Sequence, residues 1–262
     1  MERGTRSTER LPWGTFSPRI YARRVHSPFM TETAYRPPTW SMMPPVIKNL
    51  LIINALVFFA QYVFSGATGN PIYGPLEQWF ALWPVHSPDV VRTPYGVLPW
   101  PNFWPWQLVT MAFLHGGMGH IFMNMFILWM FGMRIENVWG SQRFLTYYFA
   151  CVIGASLAQL AIVELTGGLY PTLGASGGVL GVLLAFGMMY PEERIYLYFL
   201  FPMKAKWLVA GLAALDLYAG VTGTQAGVAN FAHLGGMLTG FLMIQFWRGK
   251  LPFGPRRERP VY

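Results

Sequence analysis

Three long apolar tracts without a single Asp, Glu, Lys or Arg, at 108–131, 144–163 and 228–247, constrain this chain more than anything else in it. Each reaches the roughly 20 residues that a helix needs to cross a bilayer, a length that a soluble core has little reason to repeat. Composition agrees: 53% of the 262 residues are hydrophobic and 11% are charged, against about 25% charged in an ordinary soluble domain. The chain reads as an all-α polytopic membrane protein, and an ordinary soluble enzyme is excluded.

Six membrane segments can be drawn, at 46–64, 108–131, 144–163, 173–189, 207–221 and 228–247. The fourth and fifth are short or interrupted. At 1.5 Å per residue the fourth spans about 26 Å, less than a typical hydrocarbon core, so it is expected to begin below the membrane surface with room for water above it. Of the 19 Lys and Arg, all but Arg92 fall in the two termini, at Lys48 near the start of the first segment, and in connections 132–143 and 190–206, which an up-and-down path puts on one face. The positive-inside rule then places both termini in the cytoplasm.

Residues 1–45 are rich in Arg, Pro, Ser and Thr and lack an apolar h-region with a cleavage site, so they are read as a basic, mobile cytoplasmic tail lying on anionic lipid rather than a secretory signal. Glu2, Glu9 and Glu32 weigh against an organellar transit peptide. Residues 46–247 form the membrane domain, and 248–262 a second basic tail. Connection 65–107, with Pro99, Trp100, Pro101, Phe103, Trp104, Pro105 and Trp106, is expected to be a structured lobe at the outer interface, either an anchor or a part in admitting substrate. The net charge of +8 does not indicate nucleic-acid binding, because the basic residues sit at the ends rather than along a helix or an aromatic groove. The single cysteine, Cys151, excludes an intramolecular disulfide and any Cys-clustered metal site.

Polar groups inside such segments are costly and need a partner, water or a function. Three clusters stand out. In Gly174-Ala175-Ser176-Gly177-Gly178, followed by Gly181, the glycines permit close helix approach and leave the Ser176 hydroxyl accessible. The G-x-S-x-G pattern there lacks the strand and soluble sheet that a nucleophile elbow requires. In the sixth segment, helical spacing puts His233 on the face of Gly236 and Gly240, toward another helix. In the second, His120 and Asn124 share a face, whereas His115 is offset or lies in a non-helical entry turn. Each cluster alone suits interhelical packing as well as catalysis; a serine and a histidine near the outer ends of glycine-faced helices also meet the needs of a nucleophile and its base. No H-E-x-x-H helix or acidic ligand accompanies the histidines, so neither a metal nor another cofactor is expected. Asp216 and Glu164 suggest ion or proton transfer, but their positions near the segment ends favour solvated carboxylates.

From Trp106 to Trp247 the chain resembles the rhomboid family of intramembrane serine proteases, in the histidines and asparagine of the second segment, the glycine-flanked serine of the fourth and the Ala232-His233-x-x-Gly236-x-x-x-Gly240 pattern of the sixth. The resemblance implies a six-helix bundle in which Ser176 is the nucleophile and His233 its general base, a dyad with no third acidic member. Asn124, His120 and the Ser176 backbone N–H resemble the oxyanion-stabilising set. His115, Gly174, Gly177, Gly236 and Gly240 take auxiliary or structural roles. Gly132 and Glu136 resemble the segment after the second span, where the acid and Arg134 are expected to organise the cytoplasmic turn. One departure is visible: the family often has Trp-Arg where this chain has Trp106-Gln107, losing a charge that could anchor the outer loop.

The activity so implied is hydrolysis of peptide bonds in or near the transmembrane segments of single-span or polytopic membrane proteins that enter laterally from lipid, at a site toward the outer face. The expected location is a bacterial inner membrane. The alternative is a catalytically silent relative that binds transmembrane clients. The oligomeric state stays open, because the glycine faces are consumed within the bundle.

Overall fold

The computed structural model describes residues 41–64, 74–88, 90–93, 96–197, 201–224 and 229–252. Most of the basic tail at 1–45, residues 65–73 of the outer connection and residues 253–262 of the C-terminal tail lie outside them. The fold is a helical membrane bundle. Among the described residues three helices are long and apolar enough to cross a bilayer: α1 (Pro45–Phe64), the continuous helix Met118–Trp139 and α6 (Ser141–Thr166). The second of these comprises α4 (Met118–Ile127), a π-helical stretch Leu128–Gly132 and α5 (Met133–Trp139). Among the described residues three further long helices pack with them: α7 (Ser176–Met189), α8 (Ala205–Thr222) and α9 (Asn230–Trp247).

The apolar face of each helix follows its sequence. In α1 the buried residues Ile47, Leu50, Asn54 and Gln61 recur at three-, four- and seven-residue spacing, while Ile52, Leu56, Phe59 and Tyr62 are exposed, as expected of one stripe against protein and the remainder against lipid. In α7, by contrast, every residue from Gly177 to Val182 is buried, together with Leu183, Ala185, Phe186 and Gly187. A helix apolar on all sides belongs inside its bundle. It is ringed by α6, α8, α9 and the π-helical stretch.

Glycine sets the helix spacing. A Cβ on Gly236 would lie 2.7 Å from the carbonyl carbon of Gly177, so α7 and α9 meet backbone to backbone. A Cβ on Gly181 would lie 2.8 Å from that of Cys151, so glycine at 181 lets α7 approach α6 closely. The Tyr147 hydroxyl donates to the Gly181 carbonyl at 2.7 Å.

The connection expected at 132–143 is almost entirely helical. The chain turns at Gly140, whose φ of +80° suits glycine, and α6 starts at Ser141. Glu136 does organise this end of the bundle, but its partner is not Arg134. Its carboxylate, 2% exposed, accepts the amides of Val46 at 3.0 Å and Ile47 at 2.9 Å and the Ser141 hydroxyl at 2.6 Å. It thereby occupies the unsatisfied N-terminus of α1, where the helix dipole favours an anion. Arg134 pairs instead with Glu193 at 3.0 Å and lies over the rings of Phe186 and Tyr190.

The all-helical expectation also needs amendment in the connections. Outside the hydrocarbon, backbone groups can pair beyond a helix. β1 (Val90–Thr93) pairs antiparallel with β2 (Gly96–Pro99), and β3 (Arg194–Leu197) with β4 (Phe201–Lys204). Beside the second hairpin, hydrogen bonds from Lys204 and Lys206 hold the Glu192 carboxyl down at about 2.

The lobe formed by connection 65–107 contains α2 (Pro75–Phe80) and the first hairpin. Gln107 opens the short helix α3 (Gln107–Thr110) and is fully buried: its Oε1 accepts the Trp83 amide at 3.2 Å, and its Nε2 donates to the carbonyls of Trp79 and Asn102. Gln107 thus ties the loop together without a charge. A neutral amide, able both to accept and to donate, ties three of its backbone groups together. Leu82 and Thr172 exchange two backbone hydrogen bonds at 2.9 Å, joining the lobe to the strand-like segment that leads into Ser176.

Candidate active site

Ser176 opens α7, so its amide belongs to the first turn, whose N–H groups have no acceptors within the helix. Gly174, two residues earlier, has a φ of +129° and donates its amide to the Met111 carbonyl at 2.9 Å, which delivers the chain to the helix start. The helix has 14 residues, about 21 Å of rise, shorter still than the 17 residues expected.

His233 lies in the first turn of α9, whose contact with α7 is fixed by Gly177 and Gly236. Its Nε2 is 2.8 Å from Ser176 Oγ. A serine and a histidine 57 residues apart are thus brought to hydrogen-bonding distance by a glycine contact one helical turn beyond the histidine.

The other face of the imidazole carries a residue that sequence reasoning assigned differently. Asp216 Oδ1 stands 3.0 Å from His233 Nδ1, and the two side chains are only 13% and 16% exposed. Asp216 is therefore not a solvated interfacial carboxylate. The signal was available in its surroundings, since a lone acid within the apolar run of α8 needs a partner, but linear spacing does not identify that partner on another helix. Glu164 does sit at the surface, where it accepts the amides of Val85 and His86 and meets His86 Nδ1 at 2.6 Å.

Across the cavity, α4 supplies His120 and Asn124. His120 Nδ1 faces the Gly116 amide at 3.4 Å, and the Asn124 carboxamide donates one hydrogen to the His120 carbonyl at 3.0 Å. A Cβ on Gly174 would lie 2.8 Å from His120 Nε2 and 3.8 Å from Ser176 Oγ, so the two atoms border one small space that glycine keeps open.

His115 lies in the non-helical entry between Phe113 and Met118 and is 3% exposed. Its backbone is clamped by Gln61, which accepts its amide at 2.9 Å, and its ring packs edge-on against His120 at 5.1 Å. It backs His120 rather than facing the cavity. Gly177 and Gly236 serve the α7–α9 contact, and Gly240 lies against Tyr147.

Ser176, His233, Asp216, His120 and Asn124 line one cavity of about 1100 Å³ at the end of the bundle where α4, α7 and α9 begin and α6 and α8 finish. The opposite end carries Arg134, Lys204 and Lys206. Gln159 and Asn230, buried polar residues that no motif singled out, also line the cavity with Ser176 and His233. Among the described residues no three His, Cys, Asp or Glu side chains are grouped to hold a metal ion.

Comparison with known proteins points the same way. Residues 102–249 match the rhomboid domain family. The chain is 35% identical over 145 residues to "Rhomboid protein 1, mitochondrial" of Saccharomyces cerevisiae, covering 52% of this chain and 40% of that protein. It is 31% identical over 186 residues to "RHOMBOID-like protein 4" of Arabidopsis thaliana, covering 71% and 43%. It is 30% identical over 148 residues to "Presenilin-associated rhomboid-like protein, mitochondrial" of Bos taurus, covering 54% and 39%. The matches span about two-fifths of the length of these relatives. With the family model covering more than half of its residues, the chain belongs to the rhomboid family.

Proposed function

We propose that this protein is an intramembrane serine endopeptidase that cleaves membrane proteins in or near their transmembrane segments. The observation that carries the reading is the 2.8 Å contact between His233 Nε2 and Ser176 Oγ inside a cavity of about 1100 Å³. It joins a nucleophile to a general base in a family whose domain this chain carries.

In this reading α1, α4 with α5, α6, α7, α8 and α9 are six spans, both termini lie on the cytoplasmic side with the basic connections, and the cavity opens toward the outer face. A substrate helix enters sideways from lipid and unwinds, since an intact helix holds its scissile carbonyl in an i-to-i−4 hydrogen bond. His233 takes the Ser176 proton as Oγ attacks the carbonyl carbon. The Ser176 amide, the His120 Nε2–H and the second Asn124 carboxamide hydrogen receive the oxyanion. Protonated His233 then gives its proton to the departing amine, and water, activated by the same imidazole, hydrolyses the acyl-enzyme. Gly, Ser or Pro in the substrate helix lowers the cost of unwinding. We place the protein in a bacterial plasma membrane from its sequence; two of the relatives are named mitochondrial, and membrane fractionation of the source cells distinguishes that location from an organellar one.

The test is reconstitution of wild type and Ser176→Ala in liposomes with a labelled single-span substrate whose outer segment contains helix-destabilising residues. Product from wild type alone is the expected result, and equal product from Ser176→Ala overturns the assignment. No product from either, with no labelling of wild type by a serine-reactive probe, identifies a silent client binder.

A further inference from the structure

We propose that Asp216 is a positioning residue for His233, holding the imidazole with Nδ1 as donor and Nε2 as acceptor toward Ser176, so that the reaction centre has three members drawn from three helices. The inference rests on the Ser176–His233 reading and adds to it. Its observation is a continuous line of contacts, Asp216 Oδ1 to His233 Nδ1 at 3.0 Å and His233 Nε2 to Ser176 Oγ at 2.8 Å.

The chemistry of the donors fixes the direction of that line. An ionised carboxylate only accepts hydrogen bonds, so the proton between Asp216 and His233 belongs to Nδ1. A neutral imidazole carries one N–H, and with Nδ1 protonated the Nε2 lone pair faces the Ser176 hydroxyl. A base in the opposite tautomer would present an N–H to Oγ and could not take its proton. The carboxylate also lies beside the positive charge that develops on the imidazole during attack, and with both side chains largely removed from solvent that attraction is weakly screened. Among the described residues, the ionisable side chains that line the cavity with His233 are Asp216 from α8, His120 from α4 and Tyr170 from the segment between α6 and α7; α7 contributes the Ser176 hydroxyl.

The position of Asp216 in its helix supports a dedicated role. It follows Gly211-Leu212-Ala213-Ala214-Leu215 and precedes Leu217, so its neighbours in sequence offer no compensating charge. Leu215 and Tyr218 of the same helix are exposed, whereas the Asp216 side chain is turned into the cavity. Placing an acid among apolar residues is costly without a partner, and among the described residues its hydrogen-bond partner is His233.

The experiment compares wild type, Ser176→Ala, Asp216→Asn and Asp216→Glu in liposomes, with two readouts. The first is kcat and KM for the labelled single-span substrate. Asparagine has the shape of aspartate but carries no charge to stabilise the imidazolium, and when its NH₂ is turned to Nδ1 it drives the proton to Nε2. Asp216→Asn is expected to lower kcat by about 100-fold or more, in the range of an acid–base contribution, while KM changes by less than about twofold, as for an interaction expressed in the transition state. Asp216→Glu, which keeps an acceptor, is expected to recover part of that loss. The second readout is independent of turnover: solid-state NMR of protein labelled with 15N-histidine, the His233 resonances assigned by comparison with His233→Gln. Wild type is expected to carry the proton on Nδ1, and Asp216→Asn on Nε2. An unchanged tautomer together with unchanged kcat in Asp216→Asn overturns the proposal. If wild type and Ser176→Ala cleave equally, the endopeptidase reading falls instead, and the tautomer measurement still decides the Asp216 contact.

Discussion

Gly177 on α7 and Gly236 on α9 touch through their backbones, and a single methyl group on Gly236 would lie 2.7 Å from the Gly177 carbonyl carbon and 3.0 Å from its Cα. Neither atom can yield as a flexible side chain does. The contact sits one turn from His233 and at the residue after Ser176, so helix spacing and reaction geometry are the same variable. Gly236→Ala is expected to cost about 1–3 kcal/mol, the range for overpacking a tight interface, and to pull the imidazole away from Oγ. Loss of cleavage with a lower thermal midpoint in lipid nanodiscs checks this; an unchanged midpoint and rate would mean that α9 is not seated by this contact.

Glu136 acts at the other end of the bundle as the cap of α1. Glu136→Ala would leave the buried Ile47 amide and the half-buried Val46 amide without their acceptor, at about 1–3 kcal/mol for the buried one. Glu136→Gln keeps one acceptor oxygen and should fall between. The expected outcome is a graded drop in thermal midpoint, wild type above Gln above Ala, while the surviving folded fraction, counted by serine-probe labelling, cleaves at the wild-type rate. A rate loss without a stability loss would assign Glu136 a role in the reaction.

The membrane segments and packing faces were legible in the sequence because they depend on local patterns, while the pairing of Ser176 with His233 was implied by the resemblance. Apolar length marks the membrane segments, and glycines at helical spacing mark the faces that come together. What it did not carry depends on geometry between segments. Asp216 looked like an interfacial acid because its partner lies 17 residues away on a different helix, and the partner of Glu136 lies 90 residues earlier at the start of α1. The helical path through 132–139 was hidden for a related reason. Arg134 and Glu136 read as a charged loop, yet their charges are met by Glu193 and by the α1 amides, which lets the helix continue to Gly140.

Gln107 offers a direct test of how the outer lobe is held. Its carboxamide serves Trp83, Trp79 and Asn102 from a fully buried position. Gln107→Arg would place a charge there and remove the acceptor for the Trp83 amide. Hydrogen exchange over 74–106 is expected to accelerate in Gln107→Arg by about 10-fold or more, corresponding to the loss of about 1.4 kcal/mol of local stability, with the exchange of α6 and α7 unchanged. If that region exchanges at the wild-type rate, the lobe is held by its other contacts, among them the Leu82–Thr172 pairing and the hydrogen bonds from Val85 and His86 to Glu164.

Gly174 keeps open the space between His120 Nε2 and Ser176 Oγ, where the proposed reaction would place the oxyanion. Its φ of +129° is strained for any side chain, and a Cβ would come within 2.8 Å of His120 Nε2. Gly174→Ala must therefore either distort the approach to Ser176 or displace the His120 ring. If the ring moves, one oxyanion donor is lost and kcat should fall by about 100-fold, the scale for removing such a donor. His120→Ala should produce a similar fall. Because both substitutions would remove the same donor, the double variant should be little worse than either single one, a non-additivity that a double-mutant cycle measures directly. Additive losses would mean that Gly174 acts on the path of the backbone into α7 and not through His120.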